Sequence, residues 1–280
     1  MRLLAFAFVF VAANAAAASE RVRFGEIAGI LHFPEQPGRH PAIVIVHGSA
    51  GVAEAREGFW ARELAAFGMV TLVTDSFAPR GVDSTTDDQS RVTTTQMLRD
   101  AFAALAFLAA REEVDEKRIA IMGMSKGGSV ALLAVDRQAQ RGGRAFAAHL
   151  PLYPACALQY RNPHPTAPVL MLIGEKDSYT GVKLCAAYAE RLRAAGGQVQ
   201  LKTYPGAHHG FDGDTMNPRE FYLPRAQTYR DCVILIEDDG RVAQPERRCM
   251  RVGATVAANH RAKMQALEDV KGFLKATLFH

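Results

Sequence analysis

The sequence has no block of like charges, no internal repeat, no Pro/Ser-rich linker and no apolar run long enough to cross a membrane. Each of these absences excludes a class of function. With 33 lysines and arginines against 29 acidic residues the formal charge is only +4. Without a basic stripe or cluster there is no electrostatic footprint for nucleic acid or for an anionic membrane surface. A spanning helix needs ~20 consecutive apolar residues, and the run Leu3–Ala13 falls well short of that, so stable membrane insertion is not expected. The four cysteines, Cys156, Cys185, Cys232 and Cys249, lack the paired spacing of a zinc site. What remains is 280 residues, 49% hydrophobic and 22% charged, an ordinary globular composition that sets aside collagenous and disordered chains. The length admits one domain or two, and with no linker or repeat the reading is one domain over residues 19–280.

Residues 1–18 read as a targeting segment. Arg2 precedes the apolar run, and an alanine-rich stretch leads into Ser19-Glu20, the order of an export signal with small residues at its cleavage site. Cleavage is placed after Ala18, with Ala15 and Ala17 as alternatives, and the mature protein is expected in the periplasm or outside the cell. All four cysteines lie in the exported part, where disulfides form. Three pairings are open, and the sequence-neighbour one, Cys156 with Cys185 and Cys232 with Cys249, is favoured. A cysteine nucleophile has little support, because none of the four sits in a strand-to-helix turn.

Short apolar or β-branched runs alternate with amphipathic stretches. Ile43–Val46, Val70–Thr74, Ile119–Met122, Ala147–Leu152, Val169–Ile173 and Val199–Tyr204 read as strands. Glu54–Phe67, Thr95–Ala110, Lys126–Val135, Val182–Ala195 and about Val256–Leu278 read as helices. Such alternation predicts an α/β fold with a mostly parallel sheet, helices on both faces, and active groups at the carboxyl ends of the strands. Val22–Phe33 is expected to add antiparallel strands. Residues 215–251 break the rhythm and read as a cap or hairpin insertion. Its strand is Cys232–Glu237, its turn holds Gly240, and Cys249 is placed to staple the base.

The most specific motif is Gly123-Met124-Ser125-Lys126-Gly127, between an apolar strand and a helix. A serine on so sharp a turn has strained dihedrals, and glycine two positions to either side avoids collision. The spacing excludes a phosphate loop, in which the lysine follows the glycines. A nucleophilic serine needs a base and an acid to orient it. The loop Gly174-Glu175-Lys176-Asp177 supplies Asp177, with Glu175 as its rival, and Pro205-Gly206-Ala207-His208-His209-Gly210-Phe211 supplies the base. Only one of two adjacent imidazoles can reach the serine. Gly210 and the apolar anchor Phe211 favour His209, leaving His208 at the rim. The oxyanion donors are assigned to the backbone N–H groups of Lys126 and Ser49, the latter in the turn His47-Gly48-Ser49-Ala50-Gly51. His47 is read as structural. Arg80 is a candidate for holding a substrate carboxylate, against the plainer role of an ion pair with Asp75 or Asp83.

Together with Val44-Ile45-Val46-His47-Gly48 and Asp75-Ser76-Phe77-Ala78-Pro79-Arg80-Gly81, these motifs resemble those of the dienelactone hydrolase family of α/β-hydrolases over most of the mature chain. In that family the histidine immediately before Gly/Ala-Phe is the base, which again selects His209. Members that open dienelactones carry a cysteine nucleophile and a glutamate in the turn after the first strand of the parallel sheet. Here those places hold Ser125 and Gly48. The resemblance implies a serine hydrolase of a small-molecule carboxylic ester or lactone, needing no metal or organic cofactor. The alternatives are a peptidase or acyltransferase on the same fold, and a binding protein that has lost catalysis.

Overall fold

The computed structural model describes residues 19–140, 143–214, 219–243 and 247–279. The expected signal segment, residues 1–18, lies outside them. Eight strands form the main sheet in the order β1-β2-β4-β3-β5-β6-β8-β9. They are β1 (Ser19–Phe24), β2 (Ile27–His32), β3 (His40–Val46), β4 (Val70–Asp75), β5 (Val114–Met124), β6 (Ala148–Leu152), β8 (Val169–Gly174) and β9 (Val199–Tyr204). From β4 to β9 every pairing is parallel, and β1 and β2 add the expected antiparallel edge.

Burial on both faces explains why the central strands read as continuous apolar runs. Along β3, Ile43 and Ile45 pack with Trp60 and Leu64 of α1 (Phe59–Ala66) and Leu267 and Leu274 of α5 (His260–Leu278). The alternate residues Val44 and Val46 pack with Met97, Leu105 and Leu108 of α2 (Thr94–Ala109). Helix α2 begins on a capping box, Thr93 with Gln96. The remaining helices are α3 (Lys126–Leu133), directly after β5, and α4 (Val182–Ala194). No helix among the described residues is long and apolar enough to cross a membrane.

Two expectations about the last third of the chain are corrected. The final helix does not start at Val256. Residues Arg251–Val256 form strand β12, and α5 begins at His260, capped by the Asn259 side chain, which accepts from the Ala262 N–H at 3.0 Å. The alanines before Asn259 suggested helix, but β12 has a partner strand, and tertiary pairing outweighs weak propensity. The insertion is also not one simple hairpin. Its main ribbon is β10 (Phe221–Thr228) antiparallel to β12, while β11 (Ile234–Ile236) runs parallel to β7 (Leu158–Tyr160). The Gly240 turn is present, closed by the Glu237 N–H to Arg241 O bond at 2.8 Å, and among the described residues the returning chain pairs through the Val242–Ile236 bridge and the Ala243 N–H to Leu235 O bond at 2.8 Å. Both favoured disulfides are formed, Cys156–Cys185 and Cys232–Cys249, with Cα separations of 5.1 and 5.5 Å. Two disulfides of this kind point to a compartment outside the cytoplasm.

Candidate active site

Ser125 sits between β5 and α3 with φ 55° and ψ −112°, a conformation that non-glycine residues rarely adopt. The turn is enforced by contact. A Cβ on Gly123 would lie 2.1 Å from the Gly127 carbonyl oxygen, and one on Gly127 would lie 2.1 Å from that of Val46. The elbow therefore closes on itself and on the end of β3, which is what the glycine spacing in the sequence encodes. The Ser125 N–H donates to Leu152 O at 3.0 Å, tying the elbow to β6 as well.

The loops after β8 and β9 bring Asp177 and His209 to this serine. His209 Nε2 lies 2.9 Å from Ser125 Oγ, and His209 Nδ1 lies 2.9 Å from Asp177 Oδ2. Asp177 accepts further hydrogen bonds from the N–H groups of Tyr179 and Thr180 and from the Thr180 hydroxyl. Burial works to raise its pKa. The neighbouring His209 and the hydrogen bonds from His209 and Thr180 outweigh that and hold it below the ordinary carboxylate value. Asp177 is thus poised to stay ionised and to fix the imidazole. Its rival Glu175 points elsewhere, accepting from the Gly206 N–H at 2.9 Å. His208 turns away from Ser125, and its Nε2 meets Glu220 Oε1 at 3.1 Å.

The turn after β3 borders the elbow. A Cβ on Gly48 would lie 3.4 Å from Ser125 Cβ, so Ser49 follows within reach of the nucleophile. Buried His47 hydrogen-bonds Gly48 O through Nδ1 at 2.8 Å and accepts the Ser76 N–H at Nε2. Burial pulls its pKa down, which suits a neutral, structural ring. Arg80 is a correction. It grips Asp100 with both terminal nitrogens, at 2.7 and 2.9 Å, rather than Asp75 or Asp83, and it lines neither cavity beside Ser125. A guanidinium paired in this bidentate way is committed to structure.

Several site residues escaped the sequence reading. His209 lies between two aromatic rings, Tyr153 and Tyr179, with centroids 4.7 and 4.6 Å from its own. Tyr153 has φ 35° and donates its hydroxyl to Asp212 Oδ1 at 2.5 Å, while Trp60 Nε1 donates to Asp212 Oδ2 at 2.7 Å. Asp212 follows His209 by three residues, so this buried network anchors the histidine loop. The available signal was an acidic residue directly after the apolar Phe211, but its partners lie 59 and 152 residues away. Lys126 also has a second role. Its buried ammonium donates to Thr85 Oγ1 and Gln89 O at 3.1 Å and to Val92 O, pinning the loop that carries Gln89 against Ser49. Burial pulls its pKa down to about 8.

Two cavities meet at Ser125. One, of about 260 Å³, is walled by apolar groups including Ala155, Ala157, Leu158, Ile234 and Val242. The other, of about 290 Å³, contains His209 and Tyr153 and has the side chains of Arg56 and Arg219 in its wall.

The sequence profile of the dienelactone hydrolase family matches residues 27–278. A protein of Methylorubrum extorquens, provisionally named a carboxymethylenebutenolidase, is 31% identical over 204 residues, covering 68% of this chain and 69% of the relative. Among solved structures, a dienelactone hydrolase-like promiscuous phosphotriesterase from metagenomic libraries superposes with a TM-score of 0.66 at 17% identity, covering 94% of this chain and 99% of its own. A thermophilic esterase from Thermogutta terrifontis gives 0.57 at 18% identity, covering 71% and 85%. These two likenesses speak to the fold, an α/β-hydrolase. The profile match over most of the chain and the identity to the relative establish the rest: the chain belongs to the dienelactone hydrolase family and is a hydrolase that acts on ester bonds.

Proposed function

We propose that this protein hydrolyses a small carboxylic ester or lactone through an acyl-enzyme on Ser125, in the periplasm or outside the cell. The observation that carries this reading is the chain of two 2.9 Å contacts from Ser125 through His209 to Asp177, set on a strained elbow where two cavities meet. In the first half-reaction His209 Nε2 takes the Ser125 proton as Oγ attacks the carbonyl carbon, and Asp177 stabilises the imidazolium that results. The Lys126 and Ser49 N–H groups hold the developing oxyanion, each worth ~3 kcal/mol in the transition state. His209 then protonates the leaving alcohol. Water, deprotonated by the same imidazole, attacks the acyl-enzyme to release the acid and restore Ser125.

A fluorophosphonate probe and a p-nitrophenyl ester panel test this together. The parent protein is expected to be labelled on Ser125 and to release acid in plain buffer without an added acceptor, which separates a hydrolase from an acyltransferase. A protein that neither takes the label nor turns over any ester is not a serine hydrolase.

A further inference from the structure

The two cavities at Ser125 differ in their relation to the proton donor, and that difference sets the direction in which an ester must lie. A general acid has to stand within roughly 2.6–3.2 Å of the oxygen it protonates. Among the described residues His209 is the imidazole in contact with Ser125 and so the group that protonates the leaving alcohol, and it lines the 290 Å³ cavity but not the 260 Å³ one. An alcohol departing past His209 therefore leaves into the cavity that holds Arg56 and Arg219. The acyl group, on the far side of the tetrahedral carbon, projects the other way.

The cavity on that far side suits an apolar chain. Ala155, Ala157 and Leu158 form its inner wall from the loop after β6 and from β7, while Ile234 and Val242 close it from the insertion. The Ile234 wall is fixed twice, by the parallel pairing of β11 with β7 and by the Cys232–Cys249 bond two residues before it. At about 260 Å³ the space lies near the lower end of the roughly 300–1,000 Å³ typical of ligand pockets, a size for a short or medium acyl chain rather than a long lipid. On the hydrolase reading above, we infer that the substrate is an ester whose acyl group fills the cavity beneath the disulfide-held insertion. Its alcohol portion faces the cavity that His209 lines.

Two substrate series on the full-length protein test the orientation. In one the alcohol is fixed as p-nitrophenol and the acyl chain grows from acetate to dodecanoate; in the other the acyl group is fixed as butyrate and the alcohol varies in bulk. The parent is expected to peak in kcat/KM at about four to eight acyl carbons and to fall beyond, as each methylene that fits a hydrophobic pocket adds up to about tenfold or more and none is gained once it is full. Ile234→Trp and, on a separate element, Ala157→Leu each narrow that cavity and should lower the octanoate-to-acetate ratio at least tenfold without changing discrimination among butyrates. Leu223→Trp, in the other cavity, should do the reverse. An acyl series unmoved by both Ile234→Trp and Ala157→Leu overturns the assignment, as does a parent that prefers acetate and declines from there. Fluorophosphonate labelling keeps the two readings apart. Labelled, active protein with the wrong series response refutes only the orientation, whereas unlabelled, inactive protein refutes the hydrolase reading and this inference with it.

Discussion

The parallel sheet and the ribbon of β10 and β12 hold themselves together by different means. All six residues of β8 are buried, and the sheet's strands are covered by helices on both faces, so its stability comes from apolar area removed from water. The ribbon leaves Phe221, Tyr222 and Val252 at 49%, 66% and 60% exposure. Its ion pairs, Arg225 with Asp87 and Arg251 with Asp231, are exposed on both sides, and such pairs contribute ~0–1 kcal/mol. A two-stranded ribbon is marginal alone, which gives physical sense to the disulfide and to the docking of β11 on β7. The division also sorts function. Ser125, Asp177 and His209 all stand on loops of the sheet, while the insertion supplies cavity wall and props the Asp177 loop from outside, through Thr228 Oγ1 to Tyr179 O and Arg230 to Ser178 O. On the proposed mechanism, chemistry rests on the sheet loops and substrate fit largely on the insertion.

The sharpest way to break that division is to show catalysis depending on the ribbon as heavily as on the sheet. On the proposed mechanism Ser125→Ala should lower ester turnover by a factor on the order of 10⁵ or more, because losing one member of a cooperating triad removes most of its rate advantage. The thermal midpoint should barely move, since the side chain packs little. Turnover near the parent level would undo the site assignment. His209→Ala should cost at least ~10⁴ by removing the general base. His208→Ala should cost less than about tenfold, because His208 faces Glu220 at the start of the ribbon and not the serine. Turnover of both variants on one p-nitrophenyl ester compares a sheet-loop residue with its ribbon-facing neighbour directly, and a dead His208→Ala beside an active His209→Ala would reverse their roles.

The same contrast explains what was legible in the sequence. Strand–helix alternation around Val169–Ile173 and Val199–Tyr204 is local information, and the strands β8 and β9 appear within a residue of where it placed them. The elbow was legible because a covalent turn and its glycines lie within five residues. Arg80 was not, because its partner Asp100 lies nearly two turns into α2, and nothing in a loop arginine says which carboxylate will approach. Tyr153 and Asp212 were missed for the same reason on a larger scale. Val256 was placed in the last helix, and its pairing with Phe221 and its bridge to His209, both distant in sequence, make it the end of a strand.

The two disulfides extend the comparison, one in each region. Cys156 joins the loop after β6 to Cys185 of α4, and both are fully buried. Closing its 29-residue loop is worth ~3–4 kcal/mol on the chain-entropy model. Cys156→Ser/Cys185→Ser should therefore lower the midpoint of global denaturant unfolding, with a slope equal to or steeper than the parent's because the uncrosslinked unfolded chain is more expanded. A midpoint equal to the parent's would mean that this bond does not brace the sheet.

His149 on β6 gives the core a pH dependence of its own. It is fully buried, with Nδ1 donating to Ala131 O at 2.9 Å, and burial pulls its pKa down to about 4 from the ordinary 6.5 despite hydrogen bonds to the backbone that oppose the shift. Above pH 6.5 the ring is neutral in both folded and unfolded chains. As pH falls from 6.5 toward 4 the unfolded chain takes up a proton that the folded one refuses, so stability is lost by up to about 3 kcal/mol. Buried His47 acts in the same direction. Relative to His149→Leu, the parent should lose that increment between pH 6.5 and 4 in urea melts. Parallel curves for the two proteins would show that His149 does not carry it.

Cys232→Ser/Cys249→Ser should have the smallest effect and the most local one. The 17-residue loop lies in a segment whose opening exposes little of the core, so the ribbon can loosen below the threshold of global unfolding. The free energy of global unfolding should fall by less than about 1 kcal/mol, although the chain-entropy model assigns ~3 kcal/mol to a loop of this length, because that penalty applies to the locally opened state and not to the core. Ile234 loses one of its two restraints and keeps the other, the β7 pairing. Fit of long acyl groups should therefore weaken a few-fold while acetate is spared, and mild reductant should reproduce the change in the parent without affecting fluorophosphonate labelling of Ser125. If the variant instead unfolds globally at the same denaturant concentration as Cys156→Ser/Cys185→Ser, ribbon and sheet form one cooperative unit, and the division between rigid chemistry and adjustable fit does not hold.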